Sequence, residues 1–161
     1  MDLYLIFQLI IVSIAATSTM TLFSYAVSAS FREIYKEPLL LRYLMHNYKI
    51  NLSNASKNTL SWLTHYGIGM LFVTVYHYFW ARNLLQLSIL HALLLGIASG
   101  IIGILSWMVF FKISHYQPLI NFRGFYIHLF LAHIIFALTA TAVYAISLTV
   151  ILVTNTYFVP K

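Results

Sequence analysis

The chain has 161 residues, of which 61% are hydrophobic and 7% charged, and it has no cysteine. A water-soluble domain of this size would lack the polar surface it needs, and the missing thiols exclude disulfides, thiolate metal sites and cysteine nucleophiles. The formal charge of +6 does not point to nucleic acid, because seven of the nine basic residues (Arg32, Lys36, Arg42, Lys49, Lys57, Lys112, Arg123) fall in two connections, the positive-inside pattern of a membrane protein.

Four stretches reach the roughly 20 apolar residues that a membrane crossing needs, with no internal Asp, Glu, Lys or Arg: Leu3 to Ala29, Trp62 to Trp80, Leu85 to Phe111 and Phe125 to Thr154. They predict an all-α integral membrane protein, a single four-helix antiparallel bundle over residues 1–161 with no room for a separate soluble domain. The basic connections would then be cytoplasmic, with both termini outside. The first apolar run starts directly after Met1-Asp2, without a basic leader and too long for a signal-peptide core, so it is expected to stay uncleaved.

The first span carries Ser13, Thr17, Thr21, Ser24 and Ser28 within a quarter turn of one another. Their hydroxyls are expected to bond back to carbonyls of their own helix and to permit close packing. The connection Phe31 to Asn58 opens with Arg32, Glu33, Lys36 and Glu37, continues from Pro38 through an apolar run, and closes with Lys49. It is too short to span and too apolar to be a free loop. An amphipathic helix on the cytoplasmic surface fits, with Lys36, Arg42 and Lys49 toward anionic headgroups; a partner-docking helix and a re-entrant segment compete with it.

The second span puts Ser61, His65, Gly69, Phe72 and Tyr76 on one face. Arg82 and Asn83 then form a tight turn, which makes the second and third spans expected antiparallel neighbours. In the third span Ser88, Ala92, Gly96, Ser99, Gly100, Gly103 and Ser106 share about a third of the helix circumference. That side is smooth enough for another helix backbone. Leu94, Ile97, Ile101, Ile104, Leu105 and Met108 on the far side suit lipid. The last span aligns His133, Ala137, Ala140, Tyr144 and Ser147. Trp62, Trp107 and Tyr126 at one boundary, and Trp80, Tyr157 and Tyr4 at the other, are expected to form interfacial aromatic belts.

No Asp or Glu lies inside a span, which weighs against proton- or cation-coupled transport and against an aspartyl protease. Ala98-Ser99-Gly100 lacks the preceding glycine of a rhomboid-type serine, and Ile97 stands two places before Ser99. The histidines remain. His46 and His115 fall in connections, His128 at an interface, and His77 and His91 near the outer ends. Only His65 and His133 occupy inward stripes.

Facing each other, these two support three readings. Both are neutral and bonded to hydroxyls such as Ser61, Ser106 or a stripe tyrosine; or they are axial ligands of a b-type haem, with glycines making room for the macrocycle; or they line a polar pathway or substrate pocket with Tyr76, Tyr144 and Ser99. A structural zinc is disfavoured, because His128 points about 140° away from His133.

Three local patterns, Ile14 to Thr21 (IAATSTMT), Gly96 to Gly103, and Ala132-His133, together resemble small four-helix bacterial inner-membrane proteins of unknown function. The resemblance implies the fold and a bacterial cytoplasmic membrane, covers the spans but not Phe31 to Asn58, and transfers no activity. The expected role is a non-enzymatic accessory, assembly or interaction subunit of a membrane complex or homo-oligomer. Two small-residue stripes exceed what one close contact needs, and no catalytic set is buried. The alternatives are a small-solute carrier or channel and a haem-binding electron-transfer subunit.

Overall fold

The computed structural model describes residues 3–157 and contains five helices and, among these residues, no strand. They are α1 (Leu3–Phe31), α2 (Glu37–Asn47), α3 (Asn54–Ala81), α4 (Ile89–Ser114) and α5 (Phe122–Tyr157). Lys161 and the side chain of Tyr157 lie outside the described residues.

Local chemistry sets the ends. Ser53 caps α3 by accepting from the Ser56 amide at 3.1 Å, and Pro38 sits in the first turn of α2, where its missing N–H costs nothing. Four helices end without glycine: Arg32, Lys49, Asn83 and His115, one after each of α1 to α4, take the left-handed conformation with φ of 50–55°.

Three helices are long and apolar enough to cross a membrane: α1, α4 and α5. The chain is therefore described as a helical membrane protein. The second expected span lies within α3, which is 28 residues long but less apolar than the other three and not among the candidate spans.

Packing follows the small residues. A Cβ on Gly96 would stand 2.7 Å from the Cα of Ile134, and one on Gly100 would stand 2.9 Å from Cδ2 of Phe130. The bare face of α4 thus lies against α5. Ala92 and Ser99 on the same face are buried, while Leu94, Ile97, Ile101, Leu105 and Met108 face outward. Ser88 departs from the expected stripe. The helix starts one residue later than Ser88, whose Oγ accepts from the His91 amide as the N-cap, so Ser88 caps the helix instead of continuing the stripe.

On its other side α5 meets α1, through Gln8 donating to Ser147 Oγ (2.7 Å) at one end and through the Ser24–His128 bond (3.0 Å) at the other. α3 lies along α1, where Gly69 leaves space for the Thr17 hydroxyl. Side by side the long helices therefore run α3, α1, α5, α4. The tight turn does not make α3 and α4 packed neighbours. They meet where Tyr76 Oη donates to Ser99 Oγ (2.8 Å) and are not packed along their length.

The connection between α1 and α3 also departs from expectation. α2 turns Glu37, Pro38, Leu40, Leu41 and Leu44 inward, packs on α3 and is tied to α4 by Asn47 Nδ2 donating to the Ser114 carbonyl (2.7 Å). It closes the basic end of the helix array rather than lying on it. Lys49 is exposed, Lys36 and Arg42 are half-buried, and the Lys36 ammonium sits 4.4 Å from the centre of the Tyr25 ring. Trp107 and Trp80, expected in interfacial belts, are buried in the protein instead.

Candidate functional site

The gap between α3 and α4 leads into a cavity of about 290 Å³ to which all five helices contribute. Its inner wall includes Thr17, Leu41, His65, Gly69, His133 and Phe136. Ile68, Leu71, Ile102 and Phe110, which also line it, are 40%, 63%, 52% and 43% exposed. Those exposures decide where it opens: sideways, through apolar side chains on the outer surface of α3 and α4.

His65 and His133 do share this cavity, with partners other than those expected. The Thr21 hydroxyl donates to the Thr17 carbonyl (2.7 Å), so its lone pair accepts from His65 Nε2–H at 3.0 Å. His133 Nδ1–H donates to the Leu129 carbonyl at 2.8 Å. Ser61 and Ser106 are occupied elsewhere, donating to the carbonyls of Lys57 and Ile102. Gly103 makes room for the His133 ring itself, whose Cε1 lies 2.6 Å from where a Cβ would stand, and the edge of Phe72 completes the ring's surroundings (centroids 5.7 Å, 81°).

No Asp or Glu lies inside an expected span, yet one carboxyl is buried. Glu37, assigned by sequence to the polar connection, is 3% exposed and lines the cavity. Ser24 Oγ donates to its Oε1 at 3.0 Å, while Oε2 has no partner. Burial pushes its carboxyl up from 4.5 to about 7, since the charged form is the one desolvation penalises. The same Ser24 oxygen accepts from His128 Nε2 (3.0 Å), and the His128 ring is stacked between Phe23 (5.6 Å) and Tyr35 (5.2 Å). His128 is 3% exposed, its ring enclosed by the protein.

The hydroxyl stripe of α1 serves these groups, and only part of it is satisfied within its own helix. Thr17 lines the cavity, and its Oγ1 is buried against Gly69 without a partner.

Tyr76, Ser99 and Tyr144 are not part of this site. Tyr76 and Ser99 bond to each other. Tyr144 accepts or donates with His77 Nδ1 (2.8 Å) and lines a second cavity, of about 500 Å³, beside Trp80 and the turn 82–88. Between the two cavities stands Tyr76, 2% exposed, packed edge-on to Phe136 of the first (6.0 Å) and Trp80 of the second (5.9 Å). This aromatic layer separates the polar groups that the pathway reading would connect. Among the described residues no three His, Asp or Glu converge in a way that would hold a metal ion.

Glu37 and His128 are the site residues that sequence reasoning missed. Glu37 shares the i, i+3, i+4, i+7 face of Leu40, Leu41 and Leu44, a signal that its charge obscured. The sequence matches no family model and no curated protein, and the fold matches no solved structure.

Proposed function

We propose that this chain is a four-span protein of a bacterial cytoplasmic membrane, basic end in the cytoplasm and both termini outside, that acts without catalysis by holding a small amphiphile in the cavity between α3 and α4. The observation that carries this reading is an apolar, laterally open cavity whose lining has few polar residues, His65 and His133 among them. A pocket with few polar groups in apolar walls is the usual form of a small-molecule site. α3 crosses the membrane in this reading even though it is the least apolar long helix, because its inner face is covered by α1 and α2.

The test is solvent extraction of the protein purified in mild detergent, with mass spectrometry of what is released. One amphiphile per chain is expected in the wild type. Ile68→Trp, which blocks the mouth from an exposed position, should lower the yield at least tenfold in a protein that remains folded. Equal recovery from both, or none from the wild type, would contradict the reading. A stoichiometric b-type haem spectrum lost with His65 or His133 would replace it with a redox role.

A role as accessory subunit remains the second reading, on different grounds from the stripes, since both small-residue faces are used inside the chain. The outer side of α3 presents Thr64, Gly67 and Thr74, and nothing lies within 4 Å of a Cβ built on Gly67. A protein that co-purifies with the wild type and is lost from Gly67→Leu would favour this reading.

A further inference from the structure

The polar groups around the cavity have a definite hydrogen-bonding sense. Because Thr21 spends its only proton on the Thr17 carbonyl, the proton of His65 sits on Nε2 and its Nδ1 carries a lone pair. Because His133 donates from Nδ1 to the Leu129 carbonyl, its Nε2 carries one as well. Neither nitrogen has a protein partner, and neither is among the sealed buried atoms. Two neutral acceptors are therefore offered to an occupant of this apolar space, while the unpartnered Thr17 hydroxyl and Glu37 oxygen are sealed behind its wall.

An occupant matching two lone pairs must bring hydrogen-bond donors. A cation would also donate, but Glu37 holds one oxygen on Ser24 and the other sealed, so a cation would leave water for walls made mostly of Met, Ile, Leu and Phe, which is far costlier than transferring a neutral hydroxyl. The walls add a preference for a flat ring: Phe72, Trp107, Phe110 and Phe136 line the cavity, with Phe72 edge-on to Phe136 (6.3 Å, 66°). An apolar cavity of roughly 150 Å³ takes benzene. The volume here, about 290 Å³, has room for a substituted ring but not for its tail, which would leave past Ile68 and Ile102.

We propose that the cavity recognises the dihydroxylated ring of a membrane quinol, whose hydroxyls donate to His65 Nδ1 and His133 Nε2 while its apolar tail passes between α3 and α4 into the bilayer. This rests on the reading of the cavity as an amphiphile site. The corresponding quinone, which brings two acceptor carbonyls, would set lone pair against lone pair at both histidines. The site therefore selects the reduced ring over the oxidised one.

The test is anaerobic calorimetric titration of the full-length protein in lipid nanodiscs with three probes: a decyl-tailed benzoquinol, the matching benzoquinone, and 1-dodecanol. The quinol should bind at least tenfold more tightly than the quinone, and His65→Leu or His133→Leu should each weaken the quinol about tenfold while leaving the quinone within twofold. Ile68→Trp changes an exposed residue at the mouth. It keeps the test usable if a histidine variant misfolds, and should weaken the quinol at least tenfold. Dodecanol binding as tightly as the quinol would overturn the ring and leave a generic lipid alcohol. Equal binding of quinol and quinone would overturn the donor assignment. If none of the probes binds but Ile68→Trp still expels an endogenous amphiphile, the head-group assignment fails and the cavity reading stands. If nothing binds and nothing is expelled, both fail.

Discussion

Gly96→Leu is expected to abolish recovery of a monodisperse protein, and Gly96→Ala to lower its thermal midpoint at a cost toward the upper end of the ~1–3 kcal/mol typical of overpacking. The reason lies in what the new Cβ would meet. At Gly96 it is the Cα of Ile134, at 2.7 Å, with the His133 carbonyl oxygen at 3.2 Å and Ala137 Cβ at 3.3 Å. Two of those are backbone and cannot swing aside, so α4 and α5 must separate. In lipid no hydrophobic gain offsets that separation, because acyl chains are as apolar as the side chains.

At Gly100 the nearest atom is Cδ2 of Phe130, at 2.9 Å, a ring carbon that rotation about Cβ–Cγ moves, with the Phe130 backbone no nearer than 3.4 Å. Gly67 has nothing within 4 Å, so alanine there should stabilise its helix by up to about 1 kcal/mol through propensity alone. The expected order of damage for alanine is Gly96, then Gly100, with Gly67 improved. Thermal midpoints in one detergent check it, and equal losses at Gly96 and Gly67 would contradict the α4–α5 contact.

The second large effect belongs to Glu37. Its folded carboxyl titrates at about 7 against an ordinary 4.5, so below 4.5 both the folded and unfolded chains hold the proton and stability is complete. Between 4.5 and 7 the unfolded chain gives up its proton first. Stability therefore falls as pH rises, levelling off above 7 after a loss on the order of 3 kcal/mol. Glu37→Gln keeps an acceptor for Ser24 and removes the charge. Its thermal midpoint should be nearly flat from pH 5 to pH 8, and above that of the wild type at pH 8.

The local consequence is at the basic end, where Glu37 opens α2 and lies between Ser24 and the cavity. Amide exchange over residues 37–47 should quicken from pH 6 to pH 8 in the wild type by more than the intrinsic chemistry, and not in the variant. A wild-type midpoint that rises over this range would mean that the carboxylate is stabilised in place.

Much of this architecture was legible because local pattern decides it. The uninterrupted apolar runs placed the helices, the glycine and alanine positions of α4 picked the face that meets another backbone, and Leu94, Ile97 and Ile101 marked the outer side. What local pattern cannot reach is which helix takes that bare face. A short turn argues for α3, but the close approach at Gly96 goes to α5, and the cavity exists because α3 and α4 stay apart.

The two missed residues have one cause. α5 is packed by α4 on one side and α1 on the other, so its buried arc is wide enough to hide both His133 and His128 despite the angle between them. Glu37 follows from the same contact: α1 and α5 together bring Ser24 and His128 to one place, and Ser24 holds the carboxyl there. The Glu37–Ser24–His128 contacts span α2, α1 and α5, and no sequence window contains them.

The claim on which the rest depends is that the cavity opens to the bilayer, and Trp107 is its built-in reporter because it lines the cavity and is only 7% exposed. The measurement is fluorescence of the Trp62→Phe, Trp80→Phe protein in vesicles of lipids with brominated acyl chains, against the same vesicles without bromine. A cavity entered by lipid chains or by a displaceable amphiphile predicts that Trp107 is quenched by more than half despite its burial, and that Ile68→Phe with Ile102→Phe across the mouth restores most of the signal. Equal, weak quenching in both proteins would mean that the cavity is sealed from the bilayer.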